Sequence, residues 1–279
     1  MVNITIDTKE IIIGGGKRLT LLAGPCVIES RELCLKIADF LTSLTAKLQI
    51  DFIFKASFDK ANRTSHDSYR GTGMEEGLKI LDEVRREFSV PVVSDIHLPD
   101  QAAPAAEVLD IIQIPAFLAR QTDLLEAAAR TKKCIQVKKA QFMAPWDMKN
   151  VITKIKKQGN DRIVLVERGT SFGYNRLVCD MTSIVHMQTL GYPVIIDATH
   201  STQQPSGLGG SSGGSPEMAH VLARAAVAAG ADGIFLETHP NPTRALSDAA
   251  CMLALDQLEE SLRCCRDIFN RLHSLPPQQ

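Results

Sequence analysis

Eight short apolar runs, each followed by a longer stretch of helical periodicity, limit what this chain can fold into more than any other feature. The runs are Leu19–Ala23, Phe52–Ala56, Val90–Asp95, Ile111–Ile114, Ile135–Lys138, Ile163–Glu167, Val194–Asp197 and Gly233–Glu237. Helical patterns fall between them at Arg31–Leu48, Glu75–Phe88, Leu124–Thr131, Met148–Gln158 and Glu217–Ala229, with a long terminal one near Asp248–Arg271. Parallel strands are covered on both faces, so they read as continuous apolar runs rather than alternations. Eight strand-then-helix units are the number that a closed (β/α)8 TIM barrel requires. A doubly wound open sheet is the rival, but it uses fewer strands and a GxGxxG turn after the first, which this chain lacks. The predicted fold is therefore α/β, with one barrel domain over 1–279. Alternation of Ile4 and Ile6 with polar neighbours, then Ile11 to Ile13, predicts an N-terminal β-hairpin cap within 1–18.

Several function classes drop out on composition. The formal net charge is -1, and the basic residues are scattered rather than gathered in a stripe, so no nucleic-acid partner is expected. No apolar run approaches the roughly 18 residues of a bilayer span, so no membrane association is expected either. The first residues include acidic groups and no continuous apolar core, unlike a secretory leader, and a cytoplasmic location is expected. The seven cysteines form no CxxC pair and no even framework; they read as reduced thiols, most of them small buried hydrophobes.

In a barrel of this kind chemistry sits where strands end and the following loops begin. The first strand runs into Cys26, and the second into Lys55, Ser57, Lys60, Asn62, Arg63, Thr64 and Ser65. Asp95 and His97 follow the third, and Gln113, Pro115, Phe117 and Arg120 the fourth. The remaining strands deliver Lys138, Lys139 and Gln141, then Glu167 and Arg168, then Asp197 and His200, then Glu237, His239 and Asp248. Lys55, Lys60, Arg63, Arg120, Lys138 and Arg168 would repel one another at one rim unless the ligands are strongly anionic. Arg holds phosphate or carboxylate bidentately and Lys acts as a point charge, so more than one anionic group is implied. Cys26, His200, Glu237 and Asp248 are residue types that bind Zn2+, Fe2+ or Mn2+. Their strands become neighbours on closure, yet spacing does not separate them from a buried Cys and a structural His, and His97 and His239 compete as ligands. The run PSGLGGSSGGS at 205–215 has no GK[ST], so it is no P-loop; its place in the barrel rhythm predicts a mobile loop at the mouth.

Together the segments AGPCVIES (23–30), FKASFDKANRTS (54–65), SDIH (94–97), IQIPAFLARQTDLL (112–125), VKKAQFMAPWDM (137–148), ERGTSFGYN (167–175), DATHS (197–201), and ETHPNP with LSDA (237–249) resemble 3-deoxy-D-manno-octulosonate 8-phosphate synthases. The resemblance runs in order over nearly the whole chain. It implies condensation of phosphoenolpyruvate with D-arabinose 5-phosphate and release of phosphate, feeding lipopolysaccharide synthesis, in a homotetramer. It also implies that Lys60, Lys138 and Arg168 hold phosphoenolpyruvate, with Lys55, Ser57 and Gln141 nearby and Asp95, Pro115 and Phe117 lining the site. Asn62, Arg63, Thr64 and Ser65 would take the aldose phosphate, which Arg120 of a neighbouring subunit would also reach. Lys60, Lys138, His200 and Asp248 are the implied catalytic groups. Metal-free members of that family carry Asn at the position of Cys26 and tend to read Cys-Asp-Gly where this chain reads Ser247-Asp248-Ala249. Both markers imply the metal-dependent branch, with Cys26, His200, Glu237 and Asp248 as ligands. The sister heptulosonate 7-phosphate synthases, which use erythrose 4-phosphate, carry Lys-Pro-Arg-Thr-Ser where this chain has Lys-Ala-Asn-Arg-Thr-Ser, making Asn62 the discriminating residue. A non-catalytic sugar-phosphate sensor is the other alternative; it would need Arg63 and Arg120 but not Lys138 or the metal ligands.

Overall fold

The computed structural model describes residues 3–275 except 7, 64, 206 and 208–211. The chain opens with the hairpin β1 (Ile4–Ile6) and β2 (Ile11–Ile13), in register Ile4↔Ile13 and Ile6↔Ile11. There follow β3 (Thr20–Gly24), α1 (Arg31–Leu48), β4 (Asp51–Lys55), α2 (Met74–Phe88), β5 (Val92–Asp95), α3 (Ala102–Val108), β6 (Ile111–Ile114) and α4 (Thr122–Arg130). Next come β7 (Cys134–Lys138), α5 (Met148–Lys157), β8 (Ile163–Glu167), the small pair β9 (Thr170–Ser171) and β10 (Leu177–Val178), α6 (Thr182–Gln188) and β11 (Val194–Asp197). The last elements are β12 (Gln203–Gln204), β13 (Gly213–Gly214), α7 (Pro216–Ala228), β14 (Gly233–His239), β15 (Leu253–Ala254) and α8 (Leu258–His273).

Eight strands pair in parallel in the order β3-β4-β5-β6-β7-β8-β11-β14, and β14 returns to β3, closing the expected (β/α)8 barrel. Strand side chains alternate between two apolar layers. Leu22, Ile53, Val93, Ile111, Cys134, Val164, Val166, Ile195 and Phe235 fill the barrel interior. Their neighbours Leu21, Phe52, Phe54, Val92, Ile112, Ile135, Leu165 and Ile196 pack outward on the helices. The hairpin adds Ile4, Ile6, Ile11 and Ile13 to the interior layer. Arg162, just before β8, donates to the Thr5 carbonyl at 2.7 Å, and Thr8 bonds Asp110, just before β6. The cap therefore closes the end of the barrel where the strands begin, opposite the loops that carry the charged residues.

Local signals explain most helix limits. Ser30 starts α1, its hydroxyl accepting from the Leu33 N–H at 3.2 Å, and Pro216 opens α7. One expectation is corrected: the terminal helix begins at Leu258, not near Asp248. Asp248 sits at φ 48, outside helical geometry, and β15 pairs with β14 before the helix can start. Helices α3 and α6 lie outside the sequence reading because seven residues span barely two turns and leave little periodicity. All seven cysteines are free and five are buried, Cys34, Cys134 and Cys265 among them as small groups of the apolar core. Among the described residues no helix is long and apolar enough to cross a membrane.

Candidate active site

The loops after the barrel strands enclose a cavity of about 480 Å3. Lys55, Lys60, Asn62, Arg63, Asp95, Pro115, Phe117, Lys138, Gln141, Arg168, His200 and Asp248 all line it. Parity explains why: Lys55, Asp95, Lys138 and Asp197 lie two residues beyond the interior residues Ile53, Val93, Gln136 and Ile195, so each continues an inward row. Lys139 and Glu167 have the opposite parity. They turn outward, away from the cavity, and pair with each other at 3.6 Å while fully buried.

Much of the positive charge is neutralised locally. Lys138 donates to Asp197 Oδ2 at 2.6 Å, and its ammonium sits 3.9 Å from the centre of the Phe235 ring. Lys55 donates to Glu237 Oε1 at 2.8 Å and to the Cys26 carbonyl at 2.9 Å, and Lys60 lies 3.8 Å from the same carboxylate. The repulsion expected from six unpaired cations is thus reduced, because Asp95, Asp197, Glu237 and Asp248 sit among them. Burial pushes the Lys138 ammonium below its ordinary range despite Asp197. Burial opposes the charge on Lys60 too, but the neighbouring carboxylates of Glu237, Asp95 and Asp248 hold it well above the usual value. What remains free is a set of guanidinium donors. Buried Arg168 has Nε and Nη1, and Arg63 has Nη2, without hydrogen-bond partners among the described residues. Arg63 follows β4 and Arg168 follows β8, four strands apart in a barrel of eight, and both reach toward Asp248, Arg63 Nη1 lying 3.9 Å from Oδ2 and Arg168 bonding Gln203, which bonds Oδ1.

On a third part of the wall, where β11, β14 and β3 adjoin, ligand-type atoms converge. Cys26, Glu237 and Asp248 each place one ligand atom within 4.8 Å of the others. His200 Nε2 is 3.5 Å from Glu237 Oε2 and 4.0 Å from Asp248 Oδ2, while Nδ1 faces Asp197 at 2.8 Å. The Cys26 thiol donates to Asp248 Oδ2 at 2.9 Å and lies 2.8 Å from the Ser247 hydroxyl. Burial, then Asp248 and Glu237, raise that thiol far above its ordinary value. Burial would also raise Glu237, but His200, Lys55, Lys60 and Lys138 keep it well below the usual carboxylate range. Glu237 Oε2 has no hydrogen-bond partner among the described residues although its side chain has no exposure. An ionised, unpartnered oxygen beside a thiol, an imidazole and a second carboxylate fits a divalent cation. Two features build the cluster. A Cβ on Gly24 would stand 2.0 Å from the Lys55 carbonyl, so glycine allows the close approach of β3 and β4 beneath Cys26. Asp248 takes a left-handed backbone, which Asp tolerates better than most residues.

The competing histidines go elsewhere. His97 Nε2 pairs with Asp95 Oδ2 at 3.1 Å on the cavity wall. His239 lies 3.9 Å from Glu29, and its Nδ1 accepts from the Asn241 N–H. Ser57 is buried behind the wall and bonds Asp95; Ser65 is half-buried and does not line the cavity. Arg120 is exposed and also lies off the cavity, its carbonyl accepting from Lys154 Nζ. Thr64 lies outside the described residues, as does part of the loop expected at 205–215; the flanks of that loop, β12 and β13, pair antiparallel. Tyr69, Gln203 and Ser247 line the cavity too, and strand-end reading misses them because they sit inside loops, where no period marks them.

A family model described as the DAHP synthetase I family matches residues 2–274. A protein of Cyanothece sp. named 2-dehydro-3-deoxyphosphooctonate aldolase is 56% identical over 263 residues, covering 94% of this chain and 96% of its own. Proteins of the same name from Geobacter sp. (strain M21) and Protochlamydia amoebophila are 57% and 52% identical, covering 94% and 95% of this chain and 96% of each of theirs. With near-complete coverage on both sides, the chain belongs to the DAHP synthetase I family.

Proposed function

We propose that this chain condenses phosphoenolpyruvate with D-arabinose 5-phosphate and water, giving 3-deoxy-D-manno-octulosonate 8-phosphate and phosphate. The observation that carries the reading is that Arg168 and Arg63, which follow strands four apart, each keep buried guanidinium nitrogens without a hydrogen-bond partner among the described residues, in one cavity that Lys60 and Lys138 also line. One cavity with free guanidinium donors brought by two different strands fits two phosphorylated substrates held together. The family as a whole also covers heptulosonate synthesis, but the relatives above are all named for the octonate product, and Asn62, which sets the Lys-Ala-Asn-Arg-Thr-Ser run apart from the Lys-Pro-Arg-Thr-Ser of the sister enzymes, lines the cavity.

In this reading Arg168 and Lys138 take the carboxylate and phosphate of phosphoenolpyruvate, with Lys55, Lys60 and Gln141 around it. Arg63 and Asn62 take the aldose phosphate. Holding two anions against their repulsion, with the methylene carbon facing the aldehyde, is an orientation effect of the kind that removes several kcal/mol from a barrier. Bond formation leaves positive character at the enol-ether carbon, near which Asp95 lines the cavity; water adds to that carbon as its proton goes to the former aldehyde oxygen, and the hemiketal phosphate then breaks its C–O bond, the hydroxyl becoming the ketone as phosphate leaves with that proton. His200, held at Nδ1 by Asp197, presents Nε2 to the reacting side. Cys26, His200, Glu237 and Asp248 would hold the divalent ion, Zn2+, Fe2+ or Mn2+, which orients the aldehyde or lowers the pKa of a bound water. The exposed Arg120 suits the homotetramer implied by the resemblance, in which it serves a neighbouring site. The decisive assay is phosphate release from phosphoenolpyruvate with arabinose 5-phosphate and, separately, with erythrose 4-phosphate, before and after chelation. Release with erythrose 4-phosphate alone would refute the reading.

A further inference from the structure

Gln203 opens β12, three residues after His200 and on the same short turn. It lines the cavity and is half-buried. Its Oε1 accepts from Arg168 Nη2 at 3.0 Å, and its Nε2 donates to Asp248 Oδ1 at 2.9 Å. A guanidinium offers only donors and a carboxylate only acceptors, so the two partners dictate which way this amide faces. No charged side chain fills the same role. A carboxylate there would face Asp248, and an ammonium would face Arg168.

The consequences differ on the two sides. Arg168 has one nitrogen committed to Gln203, while Nε and Nη1 are buried and unpartnered among the described residues. The plane of the guanidinium is thereby set by its middle nitrogen, with Nε on one side of it and Nη1 on the other left to donate to an anion. Asp248 has Oδ1 committed to the same amide, which leaves Oδ2 toward Cys26, His200 and Arg63. We propose that Gln203 is a positioning residue that fixes the plane of the Arg168 guanidinium for phosphoenolpyruvate and sets the Asp248 carboxylate toward the ligand cluster, so that one amide couples the two halves of the site. The backbone of Gln203 pairs with Gly214, which ties this coupling to the root of the Gly/Ser-rich loop. The inference rests on the substrate assignment proposed above.

The test uses Gln203→Met, nearly equal in volume, and Gln203→Ala, which cannot clash. Phosphoenolpyruvate is titrated calorimetrically into the metal-loaded parent and variants, and Zn2+ affinity is read by competition with a chromogenic chelator. Losing a hydrogen bond to a charged group should weaken phosphoenolpyruvate binding about tenfold to a hundredfold in both variants. Zn2+ affinity should fall several-fold, while the KM for arabinose 5-phosphate changes less than about threefold and the melting temperature stays near that of the parent. A general loosening would instead raise both KM values together, and that result overturns the proposal. So does phosphoenolpyruvate affinity within twofold of the parent, or unchanged Zn2+ affinity. Absence of phosphoenolpyruvate binding by the parent itself would overturn the substrate assignment and this inference with it, a result distinct from normal parent binding that the variants share.

Discussion

Replacing Lys139 by Met removes a charge that has no contact with solvent while keeping most of its volume. In the parent, Nζ lies 3.6 Å from Glu167 Oε1 and also donates to the Met143 carbonyl at 3.3 Å and the Thr170 hydroxyl at 3.1 Å. After the change Glu167 keeps two hydrogen bonds, from the Gly169 N–H at 2.7 Å and the Ser183 hydroxyl at 2.6 Å, but loses its paired cation. Breaking a buried pair typically costs 3–5 kcal/mol, and the two retained bonds put this case at the lower end, about 3 kcal/mol. For a chain of this size that is a fall in melting temperature of roughly 6 °C. The double variant Lys139→Met/Glu167→Gln removes the stranded charge as well and should recover most of the loss, because a neutral amide in that place is far cheaper to bury than an unpaired carboxylate. Scanning calorimetry of parent, single and double variants at one neutral pH reads the effect. If Lys139→Met melts within about 2 °C of the parent, or the double variant melts no higher than the single, the pair carries no such energy and the reasoning fails.

Further outcomes follow from the site. Cys26→Ala should lose divalent-ion affinity by at least about a hundredfold, with loss of activity; retention of both, by metal analysis and phosphate release, would remove Cys26 from the ligand set. Gly24→Ala should melt several degrees lower or fail to accumulate, since its new methyl group would meet the Lys55 carbonyl and overpacking costs about 1–3 kcal/mol or more. Asn62→Ala should raise the KM for arabinose 5-phosphate about tenfold and leave that for phosphoenolpyruvate within about twofold, as expected for loss of one polar contact to a single substrate.

The strand ends were the most legible part of the sequence, and parity is the reason. Once eight apolar runs are recognised, inward rows can be extended two residues at a time to Lys55, Asp95, Lys138 and Glu237, all of which reach the site. The same rule, applied strictly, would have turned Lys139 and Glu167 outward; reading every charged strand end as part of the rim placed them in the wrong layer. Closure made Cys26, His200, Glu237 and Asp248 neighbours, as their strand positions implied. Charge balance was less visible. The cations stood out in the sequence as a set, but their pairing with Asp197 and Glu237 depends on side-chain reach across the barrel, which linear spacing does not encode. Gln203 and Ser247 escaped for a similar reason: loop residues follow no period, and their partners lie far away in the chain.

The isoleucine hairpin beneath the strands turns the barrel into a cup with a sealed floor. Traffic is then single-ended, and two ligands that share such a vessel cannot exchange independently. In the proposed arrangement phosphoenolpyruvate lies among the deeply buried Lys55, Lys138 and Arg168, whereas the aldose is met by Asn62 at the lip. That arrangement predicts that the deeper guest enters first and that the later arrival covers it.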